Sequence, residues 1–262
     1  MLRAVIFDLG NTLAGLDPST PSTRTDYADV VARPGAERMA RHLAERGILT
    51  PKAAGERYVA RFLEIRERNR RTADQTGREI PATTSVAESL SDAGVTGAAL
   101  SSAVIEEAVR VLFEYEEERI VRLPGAVETL DAVRSRGAAM ALLSNATDGP
   151  YIARVATRLG LTEYFDPFVV SADIGVRKPR SEAFRAVLER WSFSPEAVAM
   201  VGDSLFHDVD GANRLGIVSV HLTQVPNTID PPLRGTIVPR LEVASHEALR
   251  AALVPLLDGA GA

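Results

Sequence analysis

The chain has 262 residues, of which 45% are apolar, and it carries 30 basic against 35 acidic side chains, a formal net charge of -5. This size and apolar content suffice for one large domain or two smaller ones, and the slightly acidic balance excludes a general attraction to nucleic acid or anionic lipid. Because the chain has no cysteine and only four histidines, we exclude disulfides and zinc–thiolate sites and expect any metal to be held by oxygen, as magnesium is.

The apolar segments are short throughout the sequence. No run approaches the ~20 residues that a membrane-spanning helix needs, and Asp8 interrupts the apolar N-terminal segment well before it reaches the length of a signal-peptide core. We therefore expect a cytoplasmic protein that binds neither membranes nor nucleic acid. The sequence gives no indication of an oligomeric state.

The first predicted strand runs directly into an acid. Residues 4–7 are all apolar and are followed by Asp8 and then by the turn-forming residues 10–12. An uninterrupted apolar run is typical of a parallel strand covered on both faces. Ligands of such sheets bind beyond the carboxyl ends of the strands. Asp8 is therefore predicted to lie at the mouth of a ligand crevice, although a single acid could equally well end a strand without further function.

The next hundred residues have a helical period. Segment 17–23 is rich in proline, serine and threonine and is predicted to be a hinge. A helix that ends at Gly47 follows it, and Thr50-Pro51 is predicted to cap the next one. Apolar stripes at spacings of three and four continue along this region, and they comprise Met39, Leu43, Ala54, Tyr58, Phe62, Ile65, Leu100, Val104, Ala108, Val111 and Tyr115. We expect the aromatic members of these stripes to form a helical core.

A run of basic residues lies on one of these helices: Arg61, Arg66, Arg68, Arg70 and Arg71. Such a run can form a clamp for an anionic substrate. Because acidic residues alternate with the arginines, we interpret the run as a solvent-exposed helix face stabilised by ion pairs.

From Leu123-Pro124-Gly125 onward, the pattern alternates between strand and helix. Further strands are predicted at 138–143, 168–170, 197–201 and 218–222. Prolines between 226 and 239 indicate an irregular tail, and a last helix is expected near 247–257. The fold predicted from this order is α/β, a doubly wound parallel sheet of the Rossmann-like type, with residues 1–16 and 122–262 in the core domain and a helical domain inserted at 17–121.

Polar residues follow the predicted strands, and they are Asp8, Ser144, Asn145, Lys178, Asp203 and Asp208. This set suits phosphoryl transfer. A phosphate dianion repels a carboxylate nucleophile, so that attack by Asp8 needs magnesium on Asp8 and Asp203 together with the ammonium of Lys178. The Ser144 hydroxyl and the amide or backbone of Asn145 can donate to the other phosphoryl oxygens. Taken singly, these residues could also be helix caps or solvated side chains.

The order of these segments resembles the four motifs of the haloacid dehalogenase-like (HAD) superfamily: Asp8-Leu9-Gly10-Asn11-Thr12, Leu143-Ser144-Asn145, Lys178-Pro179, and Gly202-Asp203-Ser204 with Asp208. The resemblance implies that the inserted helices are a cap domain and that the substrate is a small phosphorylated metabolite.

The same resemblance implies a role for each residue. Asp8 is the nucleophile that forms an aspartyl phosphate, and the Gly10 carbonyl and Asp203 bind magnesium with it. Ser144 and Lys178 hold the phosphoryl group. Two supporting residues complete the set. Asp208 supports either the metal or Lys178, and Thr12 fixes the turn.

One position departs from the family pattern. HAD phosphatases usually carry a second aspartate two residues after the nucleophile, and here that residue is Gly10. General acid–base help contributes about 10²–10⁴ in rate. Three explanations are open. The substrate has a leaving group that needs little protonation, the acid comes from another residue such as Asp17 or His207, or the enzyme is weak.

Two alternative functions follow from the same departure. HAD dehalogenases also lack the second aspartate, but they need no magnesium, whereas Asp203 and Asp208 resemble the metal-binding form of the fourth motif. The other alternative is a binding or regulatory protein that keeps the fold and turns over little substrate.

Overall fold

The computed structural model of the chain describes residues 1–20, 27–226 and 233–259. Its strands are β1 (Ala4–Phe7), β2 (Ala14–Leu16), β3 (Ile120–Arg122), β4 (Ala139–Ser144), β5 (Phe168–Val170), β6 (Val198–Gly202), β7 (Val218–Leu222) and β8 (Leu241–Val243). Its helices are α1 (Arg33–Glu45), α2 (Glu56–Thr76), α3 (Ala82–Asp92), α4 (Ser102–Glu117), α5 (Ala126–Arg134), α6 (Gly149–Arg158), α7 (Ser171–Ile174), α8 (Ser181–Leu188), α9 (Gly211–Leu215) and α10 (His246–Asp258).

The main sheet is parallel and has the strand order β5-β4-β1-β6-β7-β8. This confirms the predicted α/β fold with a Rossmann-like parallel sheet. Strand β1 is central, with Phe7 opposite Leu142 of β4 and opposite Val201 of β6. Because the three strands run in the same direction, their carboxyl ends lie along one edge, and the residues that follow them meet there.

The core of the sheet is formed by alternate strand residues. Ile6, Met200 and Leu143 pack with Phe184 and Val187 of α8 on one face. The intervening residues of these strands face the other side. Every residue of β1 is buried, which explains why its sequence is apolar without alternation.

The chain divides into two compact units. One consists of Met1–Gly15, Val121–Ala146 and Ala156–Ala262 and contains the parallel sheet; the other consists of Leu16–Ile120 and Thr147–Val155 and is helical. The segment 147–155 was predicted in the core domain and here groups with the helices. In the described part of the chain, no helix is both long enough and apolar enough to span a membrane.

The helical unit has an apolar core formed by its stripes. Tyr58, Phe62 and Ile65 are buried, as predicted, and the rings of Phe113 and Tyr151 stack with centroids 4.5 Å apart. Tyr115 is the exception, since it is only half-buried and the guanidinium of Arg119 lies 3.4 Å from its ring centroid. The prediction that Tyr115 is a core residue was therefore wrong, because cation–π contacts cover a ring that the apolar stripe leaves at the surface.

Four of the five arginines of the basic run on α2 form surface ion pairs, which agrees with the solvent-exposed interpretation. Their partners are Asp92 and Glu64 for Arg61, Glu88 for Arg68, Glu67 and Asp74 for Arg70, and Glu67 for Arg71. Arg66 differs, because it is half-buried above the ring of Tyr27 at 6.0 Å. The Tyr27 hydroxyl donates to the Glu116 carboxylate at 2.8 Å.

Several predicted boundaries were wrong. Thr50 does not cap α2; its hydroxyl accepts from the Ala53 amide within a turn, and the extended residue Gly55 delays the helix to Glu56. Strand β8 lies where an irregular tail was predicted, and its three residues pair in parallel with β7. Part of the predicted hinge, residues 21–23, and two tail prolines, Pro231 and Pro232, lie outside the described residues.

We predict that Gly211→Ala destabilises the fold. A Cβ at this position would overlap the buried ring of Phe184 and lie 3.1 Å from the Pro179 Cα. The better helix propensity of alanine contributes about 1 kcal/mol, whereas overpacking costs about 1–3 kcal/mol. Because Phe184 is fully buried and cannot move aside, we expect a net loss of about 1–2 kcal/mol in the free energy of unfolding, measured in urea.

Gly10→Ala is the matched control, because a Cβ there meets no atom within 4 Å. It should change the free energy of unfolding by less than about 0.5 kcal/mol. A Gly211→Ala variant as stable as this control would contradict the close packing between α8 and α9.

Candidate active site

Asp8 follows the last residue of β1 and continues its register. Its amide donates to the Val201 carbonyl of β6 at 2.9 Å, one residue beyond the last paired position of the strand. The residue is only 8% exposed. Asp203 follows the end of β6, so the parallel register brings the two acids to the same edge of the sheet.

Lys178 lies in the loop between α7 and α8 and reaches this edge. Its Nζ donates to Asp8 Oδ1 at 2.8 Å and to Asp208 Oδ1 at 2.7 Å, and its side chain is 1% exposed. Burial alone would lower the pKa of the Lys178 ammonium, but the charges of Asp208 and Asp8 raise it above its usual range. The lysine is therefore charged at neutral pH.

Asp8, Asp203 and Asp208 form an acidic cluster. One carboxylate oxygen from each lies within 4.8 Å of the others. Burial raises the pKa of Asp203 well above its usual range, and the negative charges of Asp8 and Asp208 add to the increase. Burial also raises the pKa of Asp8, although Lys178 opposes it. A cation at the cluster would favour the ionised carboxylates.

Asp208 has both carboxylate oxygens engaged. Oδ1 accepts from Lys178, and Oδ2 accepts from the Ser204 amide at 3.0 Å. The residue lies in a π-helical turn, Leu205–Asp210, and its carboxyl group packs directly on the backbone of Gly202, where a Cβ would overlap it. Asp208 therefore contacts Lys178 directly, and its predicted support of the metal stays a prediction.

Ser144 and Asn145 end β4, next to β1. Ser144 is buried, with 4% of its surface exposed. The Asn145 side chain pairs with the main chain of Lys178, because Nδ2 donates to the Lys178 carbonyl and Oδ1 accepts from the Lys178 amide, both at 2.9 Å. The Asn145 amide thus holds the lysine, and phosphate binding by Asn145 remains a prediction for its backbone.

The turn after Asp8 is held by main-chain groups. The Leu9 carbonyl accepts from Thr12, Leu13 and Ala14 at 3.3, 2.9 and 3.0 Å, and Asn11 adopts a left-handed conformation with φ of 54°. Thr12 is buried, and its hydroxyl has no hydrogen-bond partner in the described residues. In the described residues Thr12 therefore takes part in the turn through its main chain and not through its hydroxyl, and its supporting role stays a prediction. Gly10 is exposed at the tip.

Sequence reasoning missed two residues that contact Asp203. Asn11 Nδ2 lies 3.4 Å from Asp203 Oδ2. His221 is 2% exposed in β7, and its Nε2 donates to the Asp203 carbonyl at 3.1 Å, because a carbonyl can only accept. Glu242 lies 3.0 Å from the other ring nitrogen. The sequence signal for His221 was its place inside a covered parallel strand, because a buried histidine needs hydrogen-bond partners.

The two alternative proton donors differ in their surroundings. Asp17 accepts from the amide and hydroxyl of Ser19 at 2.8 and 2.6 Å, which lowers its pKa. His207 Nδ1 lies 3.3 Å from the Ser204 hydroxyl, within the turn that carries Asp208.

The residues that meet at this edge of the sheet offer buried oxygen ligands, a charged ammonium and a strand-end hydroxyl. Such a set can bind a cation beside an anionic substrate.

A family model described as a haloacid dehalogenase-like hydrolase matches residues 2–216. The chain is similar to ribulose-1,5-bisphosphate 5-phosphatase from Halopiger xanaduensis, with 30% identity over 84% of each protein. Phosphoserine phosphatase from Thermus thermophilus is 34% identical over 45% of this chain and 47% of its own length, so that this match spans less than half of either protein.

Among solved structures, 2-haloacid dehalogenase from Pseudomonas syringae has a similar fold, with a TM-score of 0.72 and 23% identity over 98% of this chain and 100% of that one. The family match covers most of the chain, and the relative from Halopiger xanaduensis is similar over most of its length. The chain therefore belongs to the haloacid dehalogenase-like hydrolase family.

Proposed function

We propose that this hydrolase is a magnesium-dependent phosphatase that acts on a small phosphorylated metabolite through an aspartyl phosphate on Asp8. One observation carries the proposal: Lys178 is buried between Asp8 and Asp208, next to a third acid, Asp203. Three carboxylates against one ammonium leave two negative charges at the edge of the sheet.

The chemistry of this cluster fits a divalent cation. Uncompensated buried charge is costly, and the raised pKa of Asp203 expresses that cost. Carboxylate and carbonyl oxygens are the ligands that magnesium prefers. Asp8, Asp203 and the Gly10 carbonyl would hold the ion. When bound, magnesium would offset the negative charge of the phosphoryl group and so allow a carboxylate to approach it.

The first chemical step belongs to Asp8. A carboxylate oxygen of Asp8 forms a bond to phosphorus, and the bond between phosphorus and the ester oxygen breaks with its electron pair on the leaving group. Two of the three donors of the Lys178 ammonium are taken by Asp8 and Asp208, and the third can donate to a phosphoryl oxygen. The Ser144 hydroxyl and the Asn145 backbone amide supply further donors.

The second step releases the product. Water attacks the phosphorus of the aspartyl phosphate, the bond to Asp8 breaks, and inorganic phosphate leaves with Asp8 again a carboxylate. The leaving group of the first step still needs a proton, which Gly10 cannot supply. Asp17 is a poor acid at neutral pH because its pKa is lowered. Three explanations therefore remain: His207 supplies the proton, the substrate has a good leaving group such as an acyl or anomeric phosphate, or the enzyme is weak.

Phosphatases among the relatives support this function over dehalogenation. The Halopiger xanaduensis relative is named as a phosphatase and is similar over 84% of its length, whereas the resemblance to the dehalogenase structure concerns the fold. The absence of an acid at Gly10 is the observation that favours dehalogenation. We further propose that the inserted helices, residues 17–121, serve as a cap domain that closes during turnover.

We predict that Asp8→Asn abolishes magnesium-dependent release of phosphate from a panel of aryl, acyl and sugar phosphates. Loss of the nucleophile should reduce kcat by at least about 10³-fold, because no other group can form the covalent intermediate. Asp173→Asn removes an exposed carboxylate in α7 and serves as the control with unchanged kcat. Phosphate release by Asp8→Asn at the wild-type rate would refute the assignment of the nucleophile.

The same panel with 2-chloropropionate added to it separates the alternatives. Release of chloride from 2-chloropropionate without magnesium, and no release of phosphate, would identify a dehalogenase. No turnover of any compound, together with thermal stabilisation by a phosphorylated ligand, would indicate a binding protein.

We predict that the metal-free protein loses stability relative to Asp203→Asn as the pH rises from 5 to 8. The pKa of Asp203 is raised in the folded state, so the folded protein favours the protonated acid. The stability that this contributes is present at low pH and is lost as the pH rises through the raised pKa. The variant has no ionisable group at this position and should lose less stability than the wild type over the same pH interval. Magnesium should raise the Tm of the wild type much more than that of the variant.

Thermal unfolding at both pH values, with and without magnesium, tests this expectation. Comparing the two proteins cancels the pH dependence of groups that lie far from the acidic cluster. The opposite result would be a metal-free wild type whose stability, relative to that of the variant, increases with pH. It would show that the acids do not form a strained buried cluster.

We predict that Gly10→Asp increases the hydrolysis of alkyl phosphates. The position is exposed and a Cβ meets no atom within 4 Å, so the added side chain is not obstructed. A general acid there should raise kcat by up to about 10²-fold for alkyl phosphates and by much less for acyl phosphates, whose leaving groups need little protonation. Gly10→Asn is the control for size, and equal rates for both variants would argue against a missing acid.

A further inference from the structure

Beyond the predicted site residues, a buried histidine contacts the turn that follows Asp8. His246 is the first residue of α10 and is 1% exposed. Its Nε2 lies 2.8 Å from the Thr12 carbonyl. A carbonyl only accepts, so Nε2 carries a proton and donates it. The residue lies outside the region 2–216 that matches the family model.

The other ring nitrogen is fixed as well. Burial lowers the pKa of His246, so the ring is neutral and Nδ1 accepts. The Thr129 hydroxyl lies 3.0 Å from Nδ1 and can donate to it. The Thr129 hydroxyl also lies 2.9 Å from the Gly125 carbonyl, which accepts from Arg250 Nη1 at 3.1 Å as well. Because the neutral ring donates from Nε2 to the Thr12 carbonyl, Nδ1 can only accept, and the Thr129 hydroxyl is its donor.

The start of α10 is held so that the ring cannot shift. The Ser245 hydroxyl caps the helix by accepting from the Ala248 amide at 3.2 Å, and the His246 amide donates to Gln224 Oε1 at 2.9 Å. Gly125 has φ of 81° and lies so close that a Cβ there would be 2.7 Å from the His246 Cβ. The Leu123-Pro124-Gly125 turn thus leaves space for this side chain.

The Thr12 carbonyl belongs to the same short turn as Asp8 and Gly10. The hydroxyl of Thr12 makes no hydrogen bond in the described residues, so the turn is connected to α10 at this position through the Thr12 main chain. Small displacements of a reacting group, about 1 Å, can cost about 10²-fold in rate. A rigid support behind the turn therefore bears directly on the orientation of the Asp8 carboxylate and the Gly10 carbonyl.

We propose that His246 is a positioning residue for the reaction at Asp8, acting through its hydrogen bond to the Thr12 carbonyl. This proposal rests on the proposed function for its catalytic consequence only. The physical part, that His246 orders the turn from Asp8 to Ala14, holds for any chemistry at this site.

The test compares His246→Leu with His246→Gln. Leucine removes the donor, whereas the glutamine side chain carries an amide N–H at about the same distance from the backbone. We expect His246→Leu to lower kcat for 4-nitrophenyl phosphate by about 10- to 100-fold with KM changed by less than about threefold, and His246→Gln to recover most of the loss. Hydrogen–deuterium exchange of the amides at 12–14 should be at least about tenfold faster in His246→Leu than in the other two proteins.

Leu249→Ala is the matched control. It shortens a fully buried side chain on the same helix and should lower the Tm without changing kcat or the exchange of amides 12–14. If His246→Leu does not fold, Thr129→Val replaces it, because loss of the hydroxyl frees the ring to turn and should lower kcat and speed exchange in the same way.

The outcomes are distinct. Unchanged exchange at 12–14 in His246→Leu, equal losses in His246→Leu and His246→Gln, or an equal effect of Leu249→Ala would each overturn the positioning role. A wild type that releases no phosphate refutes the proposed function, while the exchange data still decide whether His246 orders the turn.

Discussion

The arrangement of the site depends on one interaction, the ion pairing of the buried Lys178 ammonium with two carboxylates. A buried charge is stable only when it is paired and hydrogen-bonded. Asp8 and Asp208 meet that requirement from two different segments of the chain. The loop carrying the lysine is held in turn by the side chain of Asn145. These residues converge because three parallel strands end at the same edge of the sheet.

A second layer of polar residues surrounds the acidic cluster. Asn11 and His221 contact Asp203, one at its side chain and one at its carbonyl, and Ser204 contacts Asp208. Each of these contacts satisfies a buried polar group that would otherwise cost about 1–3 kcal/mol. The acids thus have defined orientations although their mutual repulsion favours their separation. The apolar strands beneath them, β1 and β6, are fully buried and supply the rigid base.

The fold and the composition of the cluster were predictable from sequence because they rest on local signals. Apolar runs that end in Asp8, Ser144 and Asp203 indicate parallel strands, and the carboxyl ends of such strands meet. The tasks of individual polar atoms were not predictable. The amide of Asn145 was assigned to the substrate, but it binds the main chain of a residue 33 positions away. His221 likewise has partners that only the folded chain brings near, and sequence spacing carries no information about such pairs.

Local rules also failed where a tertiary contact or a turn competes with them. Tyr115 follows the apolar stripe of α4, yet Arg119 covers its ring at the surface. Thr50 precedes a proline as a cap should, yet it closes a separate turn before α2 begins. The periodicity of the sequence therefore predicts less about the arrangement of the helical unit than about that of the parallel sheet.

Gly10 projects from the turn with open space around it, and no main-chain angle there demands a glycine. The choice of residue at this point is thus independent of the stability of the domain. A lineage can gain or lose an ionisable group here by a single replacement, with the neighbouring backbone left as it is. The catalytic repertoire of such a scaffold can diversify at its loop tip long before its architecture changes.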